Sequence, residues 1–201
     1  FFVGLFVGFR VAQGRFTLAF LEQPQYRVTF FIAVGGMALL GRELTVALRD
    51  GREAVIRSAR PGDARALVRL LDAVAAEPVV TLLMVPGQIN AREWRRRIGS
   101  AAERDTSLFL CAWLGERLAG NLGLVADAHP ASAHVRVLGM SVARDCRGLG
   151  IGTALLQTAV AWAAARGAEK IELSVFAHNA PALAFYEHHG FAREGLRRRK
   201  F

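Results

Sequence analysis

The chain has little cysteine. Its two residues, Cys111 and Cys146, stand in neither a CxxC pair nor a zinc-finger spacing. That excludes a disulfide scaffold and reads as two reduced thiols, which suits a cytoplasmic protein. Long apolar runs are also absent. Residues 1–9 and 28–40 are apolar, but each is shorter than the roughly 20 residues that cross a bilayer unaided. No membrane partner is expected, with contact through the N-terminal apolar segment left open. His178, His188 and His189 read as surface residues without a second ligand set, so no metal is expected. Negative charge is the scarcer sign: 26 Lys and Arg face 17 Asp and Glu, and the net charge of +9 comes mostly from arginine. Such a surplus suits a solvated basic surface, an anionic ligand, a nucleic acid or an anionic membrane. No RNP-like aromatic run accompanies it, so no nucleic-acid partner is expected.

What is present centres on residues 135–166. Val135, Val137 and the run 138–142 have the β-branched, apolar character of a buried strand. Gly148, Gly150 and Gly152 follow at every second position. From Ile151 the period turns helical, with Leu155, Leu156, Ala159, Val160 and Trp162 on one broad face, and Gly167 stands where a helix would stop. Strand, glycine-rich turn and helix form a diphosphate-binding recipe. Glycines let backbone N–H groups approach the anion, and the helix N-terminus adds unpaired donors and the positive dipole end. No Lys follows these glycines, so this is not a Walker A loop, and Thr153 stands where a dinucleotide fingerprint needs its third glycine.

What stands here is Arg147-Gly148-Leu149-Gly150-Ile151-Gly152, and it resembles the acetyl-CoA signature of the GCN5-related N-acetyltransferases, the GNAT superfamily. A second motif follows at the right separation. The strand Glu172-Leu173-Ser174-Val175-Phe176 leads to Asn179-Ala180-Pro181-Ala182, Phe185-Tyr186-Glu187 and Gly190-Phe191, which is similar to the superfamily's fifth strand and fourth helix. The resemblance implies a mixed α/β (α+β) fold. Its central, mostly antiparallel sheet splays between the fourth and fifth strands, with helices on both faces.

The resemblance spans residues 43–201 and sets the expected domain, with its last strand or strands missing. Residues 1–42 are expected to be an extension outside the domain. Their first 36 residues read as a translated leader, with Met37 as the natural start, as a remnant of another module, or as a membrane-contacting segment. Within the domain, Asp50-Gly51 between two strand-like runs signals a hairpin. Leu67, Leu70, Leu71 and Val74 mark the core face of a first helix. Asn90 with Glu93 reads as the capping box of a second. In the superfamily the region between those helices borders the acceptor site, so Glu77, Glu93 and Trp94 are acceptor-pocket candidates. A cap, an exposed carboxylate and a core Trp explain them equally well.

The function implied is acetyl transfer from acetyl-CoA, as cosubstrate, to a primary amine. Gly148, Gly150 and Gly152 would hold the pyrophosphate, with Arg147 adding charge. Met140 and Val142 match the positions whose backbone pairs with the pantetheine arm. Asn179 would contact the cofactor or cap its helix, and Tyr186 matches the general acid that protonates the leaving thiolate. The base is less defined: Val137 stands where relatives often carry an acid, leaving His134, Glu172, Glu77, a water relay or the binding of an already neutral amine. The nearest branch acetylates free L-amino acids or ribosomal-protein N-termini, so the expected partner is a small-molecule or peptide amine. Another small amine (an aminoglycoside or polyamine) is the enzymatic alternative. A non-catalytic acetyl-CoA-binding module is the alternative from a different class, and a homodimer is compatible with either.

Overall fold

The computed structural model describes residues 3–10, 43–79, 81–82, 84–88, 90–103, 107–126 and 129–198. One sheet holds eight strands: β1 (Val3–Arg10), β2 (Leu44–Ala47), β3 (Glu53–Ser58), β4 (Ser107–Leu114), β5 (Arg117–Ala126), β6 (Val135–Val142), β7 (Lys170–Phe176) and β8 (Ala192–Arg198). The spatial order is β2-β3-β4-β5-β6-β7-β1-β8. Every neighbouring pair is antiparallel except β6 and β7. Among the described residues four α-helices accompany the sheet: α1 (Ala64–Ala75), α2 (Ala91–Glu103), α3 (Ile151–Ala165) and α4 (Ala180–His188). The mixed α/β class and the mostly antiparallel sheet expected from the sequence are both present.

Alternation along β4 and β5 sends side chains to both faces. Ala112, Leu110 and Leu108 lie opposite Gly120, Leu122 and Leu124, so these six share one face. That face meets α3: a Cβ on Gly120 would come within 3.0 Å of the Ile151 side chain and 3.2 Å of Leu155. The residues between them face the other way. Phe109 meets Trp94 of α2 edge-on, with ring centroids 5.5 Å apart. Helices therefore cover both faces, and Leu122, Leu124 and Leu155 between them are fully buried. Burying each such side chain contributes about 1.5–3 kcal/mol.

Local chemistry sets the ends of the elements. Gly51, at φ +84°, turns the β2–β3 hairpin. The Asp63 carboxylate ahead of α1 accepts from the Arg60 N–H at 2.7 Å and from the Arg57 guanidinium at 2.7 and 2.9 Å. Burial pushes that carboxyl up, but these donors outweigh it and hold it below the ordinary value. Asn90 caps α2 by accepting from the Glu93 N–H at 2.9 Å. At the far end of α3, Gly167 donates to Ala164 and Ala168 to Ala163, a Schellman closure.

The N-terminal segment differs from expectation. Val3–Arg10, expected outside the domain, forms a strand inside the sheet, between β7 and β8. Gly4 lies opposite Phe176 and Arg10 opposite Lys170 on one side, and Val3 lies opposite Arg198 on the other. The physical reason is edge satisfaction: β7 and β8 each present a row of backbone donors and acceptors that β1 pairs. Residues 11–42, the rest of the expected extension, lie outside the described residues. Deleting residues 1–10 should therefore lower the melting temperature by more than about 5 °C and promote association through the freed edges. Scanning calorimetry and size-exclusion chromatography check this; an unchanged melting point and monomer fraction would remove β1 from the folded unit.

Candidate functional site

The site begins where two strands part. β6 and β7 pair only at Val135–Lys170, Arg136–Ile171 and Val137–Glu172. Beyond Val137, β6 continues to Val142 beside β5, while β7 continues to Phe176 beside β1. A fork opens between them, and among the described residues no strand pairs with the β7-facing edge of β6 there. The exposed residues mark the fork's face: Val137 is 40% exposed and Val125, opposite it on β5, is 41% exposed.

At the open end of the fork the chain turns into α3. Gly148 (φ +77°) and Gly150 (φ +102°) adopt the left-handed region, which glycine enters without a Cβ penalty. A Cβ on either would meet nothing within 4 Å, so open space lies beside the turn. Gly150 is the N-cap of α3, and no side chain caps that end. The first N–H groups of the helix thus lack acceptors within it. Beside them, a Cβ on Gly152 would sit 3.5 Å from the Phe185 ring and 3.6 Å from the Met140 methyl. Unpaired donors, a positive dipole end and an open cradle of this kind fit a diphosphate.

The turn is braced from three separate elements. Arg147 donates from both terminal nitrogens to the Glu77 carboxylate, at 2.9 and 2.5 Å, and from Nε to the Val142 carbonyl at 3.1 Å. Arg117 makes a two-point pair with Asp145 at 2.6 and 2.7 Å, which holds that carboxyl down to about 2. Arg49, in the β2–β3 turn, donates its backbone N–H to the Leu149 carbonyl at 3.1 Å and Nη1 to the Gly148 carbonyl at 3.3 Å.

The candidates named from the sequence divide accordingly. Met140, Gly148, Gly150 and Gly152 gather at the mouth of the fork. Val142 is there too, its carbonyl already accepting from Arg147. Arg147 is turned toward Glu77 and not toward the open side of the glycine turn. This places Glu77, whose side chain is only 12% exposed, at the turn. Asn179 accepts from the Ala182 N–H at 3.3 Å and caps α4. Tyr186 is 6% exposed, between the rings of Phe185 and Phe191 at 5.2 and 5.4 Å. Burial pushes its phenol well above the ordinary value, so it stays protonated at any working pH. Glu93 pairs with Arg97 across one helical turn, and Trp94 is a core residue.

His189 corrects one expectation: it is not a surface residue. Burial lowers its basicity, and Nδ1–H donates to the Phe185 carbonyl at 2.7 Å. Cys111 and Cys146 are both buried, and burial pushes the Cys111 thiol up to about 12. Among the described residues, no group of three His, Cys, Asp or Glu is placed to hold a metal ion. No helix among them is long and apolar enough to cross a membrane. Phe185 and Arg49 were not anticipated. A helical Phe beside a Tyr carries no signal of which one meets the turn. Arg49 lies 99 positions from Gly148, beyond any local pattern.

The acetyltransferase (GNAT) family model matches residues 69–191, a span that includes the fork, the glycine turn and Tyr186. The chain belongs to the GNAT family. It is 30% identical over 149 residues to the L-amino acid N-acetyltransferase AaaT of Escherichia coli, covering 71% of this chain and 85% of that protein. Three other curated relatives are matched over less of their own length, 41%, 33% and 54%. Among solved structures, a GNAT-family acetyltransferase from Streptococcus pneumoniae superposes with a TM-score of 0.66 at 28% identity, over 71% of this chain and 86% of that one. The protein yncA of Salmonella typhimurium, solved with its cofactor acetyl-CoA, shares the fold at a TM-score of 0.61 and 14% identity, over 68% and 78%. GNAT proteins use acetyl-CoA, and the open cradle at Gly148 and Gly150 fits its diphosphate.

Proposed function

We propose that this GNAT chain transfers the acetyl group of acetyl-CoA to a primary amine, a free L-amino acid or a protein N-terminus. The observation that carries the reading is the fork between β6 and β7, opening onto an uncapped, glycine-lined start of α3. Residues 43–201 together with β1 form the catalytic unit. The amino-acid arm is supported by the likeness to an L-amino acid N-acetyltransferase over most of both chains. The protein arm is supported by the shared fold of a ribosomal-protein-alanine N-acetyltransferase from Brucella melitensis, at 24% identity and a TM-score of 0.61.

Acetyl-CoA supplies the thioester, and this chain supplies position, charge and protons. The turn at Gly148–Gly152 and the first N–H groups of α3 bind the diphosphate. Along β6, Met140 and Val142 present strand backbone to the pantetheine amides, as an added strand would be received. A backbone N–H on that edge stabilises the oxyanion as the amine attacks the carbonyl carbon. The tetrahedral centre then collapses: the C–S bond breaks, Tyr186 delivers a proton to the departing sulfur, and the proton shed by the acylated nitrogen restores the Tyr186 phenol.

The base belongs to the inner end of the fork. Glu77 is engaged by Arg147 at the diphosphate end, about five strand residues away at roughly 3.3 Å each. Glu172 is the last β7 residue paired with β6 and lies opposite Val137. It therefore shares the open face with Val137, and its nearest cation, Lys170, is 3.8 Å away. Glu172 receives the ammonium proton before attack.

Thiol release from acetyl-CoA, screened across free L-amino acids, polyamines, aminoglycosides and N-terminal peptides, tests the reading. Turnover with an amino acid or N-terminal peptide is expected. The Glu172→Gln variant should be slow at neutral pH and recover at high pH, where the amine is neutral unaided. Tight acetyl-CoA binding with no turnover on any amine would favour a non-catalytic coenzyme-binding module. A pH-independent loss in Glu172→Gln would remove Glu172 as the base.

A further inference from the structure

The cations around the glycine turn are not equivalent. Arg147, Arg117 and Arg52 each face a carboxylate: Glu77, Asp145 and Asp50 respectively. Arg49 rests on two carbonyls, which orient it without cancelling its charge. Among the described residues no carboxylate pairs with Arg49 or with Arg144, and both are exposed. The uncompensated positive charge at this turn is therefore theirs. Arg49 is also the better anchored, because its own backbone N–H ties the β2–β3 turn to Leu149.

We propose that Arg49 binds the ribose phosphate at the adenine end of coenzyme A, which makes the β2–β3 turn part of the coenzyme site. The inference rests on the acetyl-CoA reading above and adds a residue to it. Coenzyme A carries three phosphates in two chemical settings. The diphosphate is served by backbone N–H groups at Gly148–Gly152 and the start of α3. The ribose phosphate is a separate monoester with about −1.5 to −2 charge at neutral pH, and no backbone cradle serves it. It needs a cation at the outer rim of the turn. Arg147 could supply one only by releasing Glu77, whereas Arg49 has donors to spare: a guanidinium carries five N–H groups, and one is used on Gly148. Its planar fork matches two phosphate oxygens at once.

The test is calorimetric binding of coenzyme A and of 3′-dephospho-coenzyme A to the full chain, its Arg49→Gln variant and its Arg49→Lys variant. Wild type should prefer coenzyme A by about tenfold or more, the usual scale of a charge-assisted hydrogen bond. Arg49→Gln should lose most of that preference by weakening coenzyme A while leaving the dephospho compound nearly unchanged. Arg49→Lys, which keeps a cation on the same turn, should retain part of it. Equal weakening of both ligands in Arg49→Gln would overturn the proposal, because it would place the arginine's effect on the diphosphate or on bracing the turn. Unchanged coenzyme A affinity, or a wild type that does not distinguish the two ligands, would overturn it as well. A wild type that binds neither ligand is a different result, and it removes the acetyl-CoA reading itself.

Discussion

Gly150→Asp should abolish acetyl-CoA binding, with affinity falling by more than about a hundredfold in a protein that still folds. Two effects act together at this residue. Its φ of +102° is a conformation that an L-residue enters at a cost of about 1–2 kcal/mol. The new carboxylate would also project into the open space beside the turn, where the coenzyme's diphosphate would lie. Like charges at that distance would repel, since the unpaired donors of the turn would serve one anion, not two. Gly150→Ala separates the terms, since it carries the backbone strain without the charge. A loss of about tenfold in Ala against a hundredfold or more in Asp would assign most of the effect to electrostatics. Calorimetric titration of both variants, with melting curves to confirm folding, is the measurement. Unchanged affinity in a folded Gly150→Asp protein would detach the turn from coenzyme binding.

The parts of this site that were legible in the sequence are those written over short spans. A β-branched run, glycines at alternate positions and a helical period with a terminating glycine place the β6–turn–α3 unit within about thirty residues. Each signal is a local steric or capping preference, and each survives in the fold. The long-range braces were not legible. Arg147 meets Glu77 from 70 positions away, and Arg49 meets Gly148 from 99. Which arginine of a basic chain finds a carboxylate, and which is left with a bare charge, depends on how β2, β3 and α1 pack around the turn. The N-terminal strand illustrates the same limit. Val3–Arg10 is apolar up to its final arginine and holds two β-branched valines, which permits a strand. What makes it one is the pair of edges on β7 and β8, and no local period announces partners at least 160 residues away.

Tyr186→Phe should lower kcat by about 10²–10⁴-fold with whichever amine the thiol-release screen identifies, the usual worth of a positioned general acid. The substitution keeps the ring and therefore the edge-on contacts with Phe185 and Phe191. The hydroxyl makes no hydrogen bond among the described residues, so removing it should cost little stability. Acetyl-CoA affinity should change little for the same reason. The energetics favour a donor that works only as the thiolate forms. An ordinary phenol at about 10 lies above a thiol at about 8.5, so unaided transfer costs about 2 kcal/mol. Burial widens that gap here and keeps the phenol protonated, so no ionisation of Tyr186 should shape the pH profile in the working range. The negative charge developing on the sulfur inside the fork must then supply the drive, because a desolvated thiolate is a far stronger base than one in water. It follows that the deficit of Tyr186→Phe should shrink for an acetyl donor with a more acidic thiol, whose sulfur leaves without a proton. A packing role predicts the reverse pattern, near-normal kcat with a small shift in melting temperature. Normal turnover in a folded Tyr186→Phe protein, with chemistry shown to be rate-limiting by single-turnover kinetics, would take the proton from Tyr186 and require another donor at the fork.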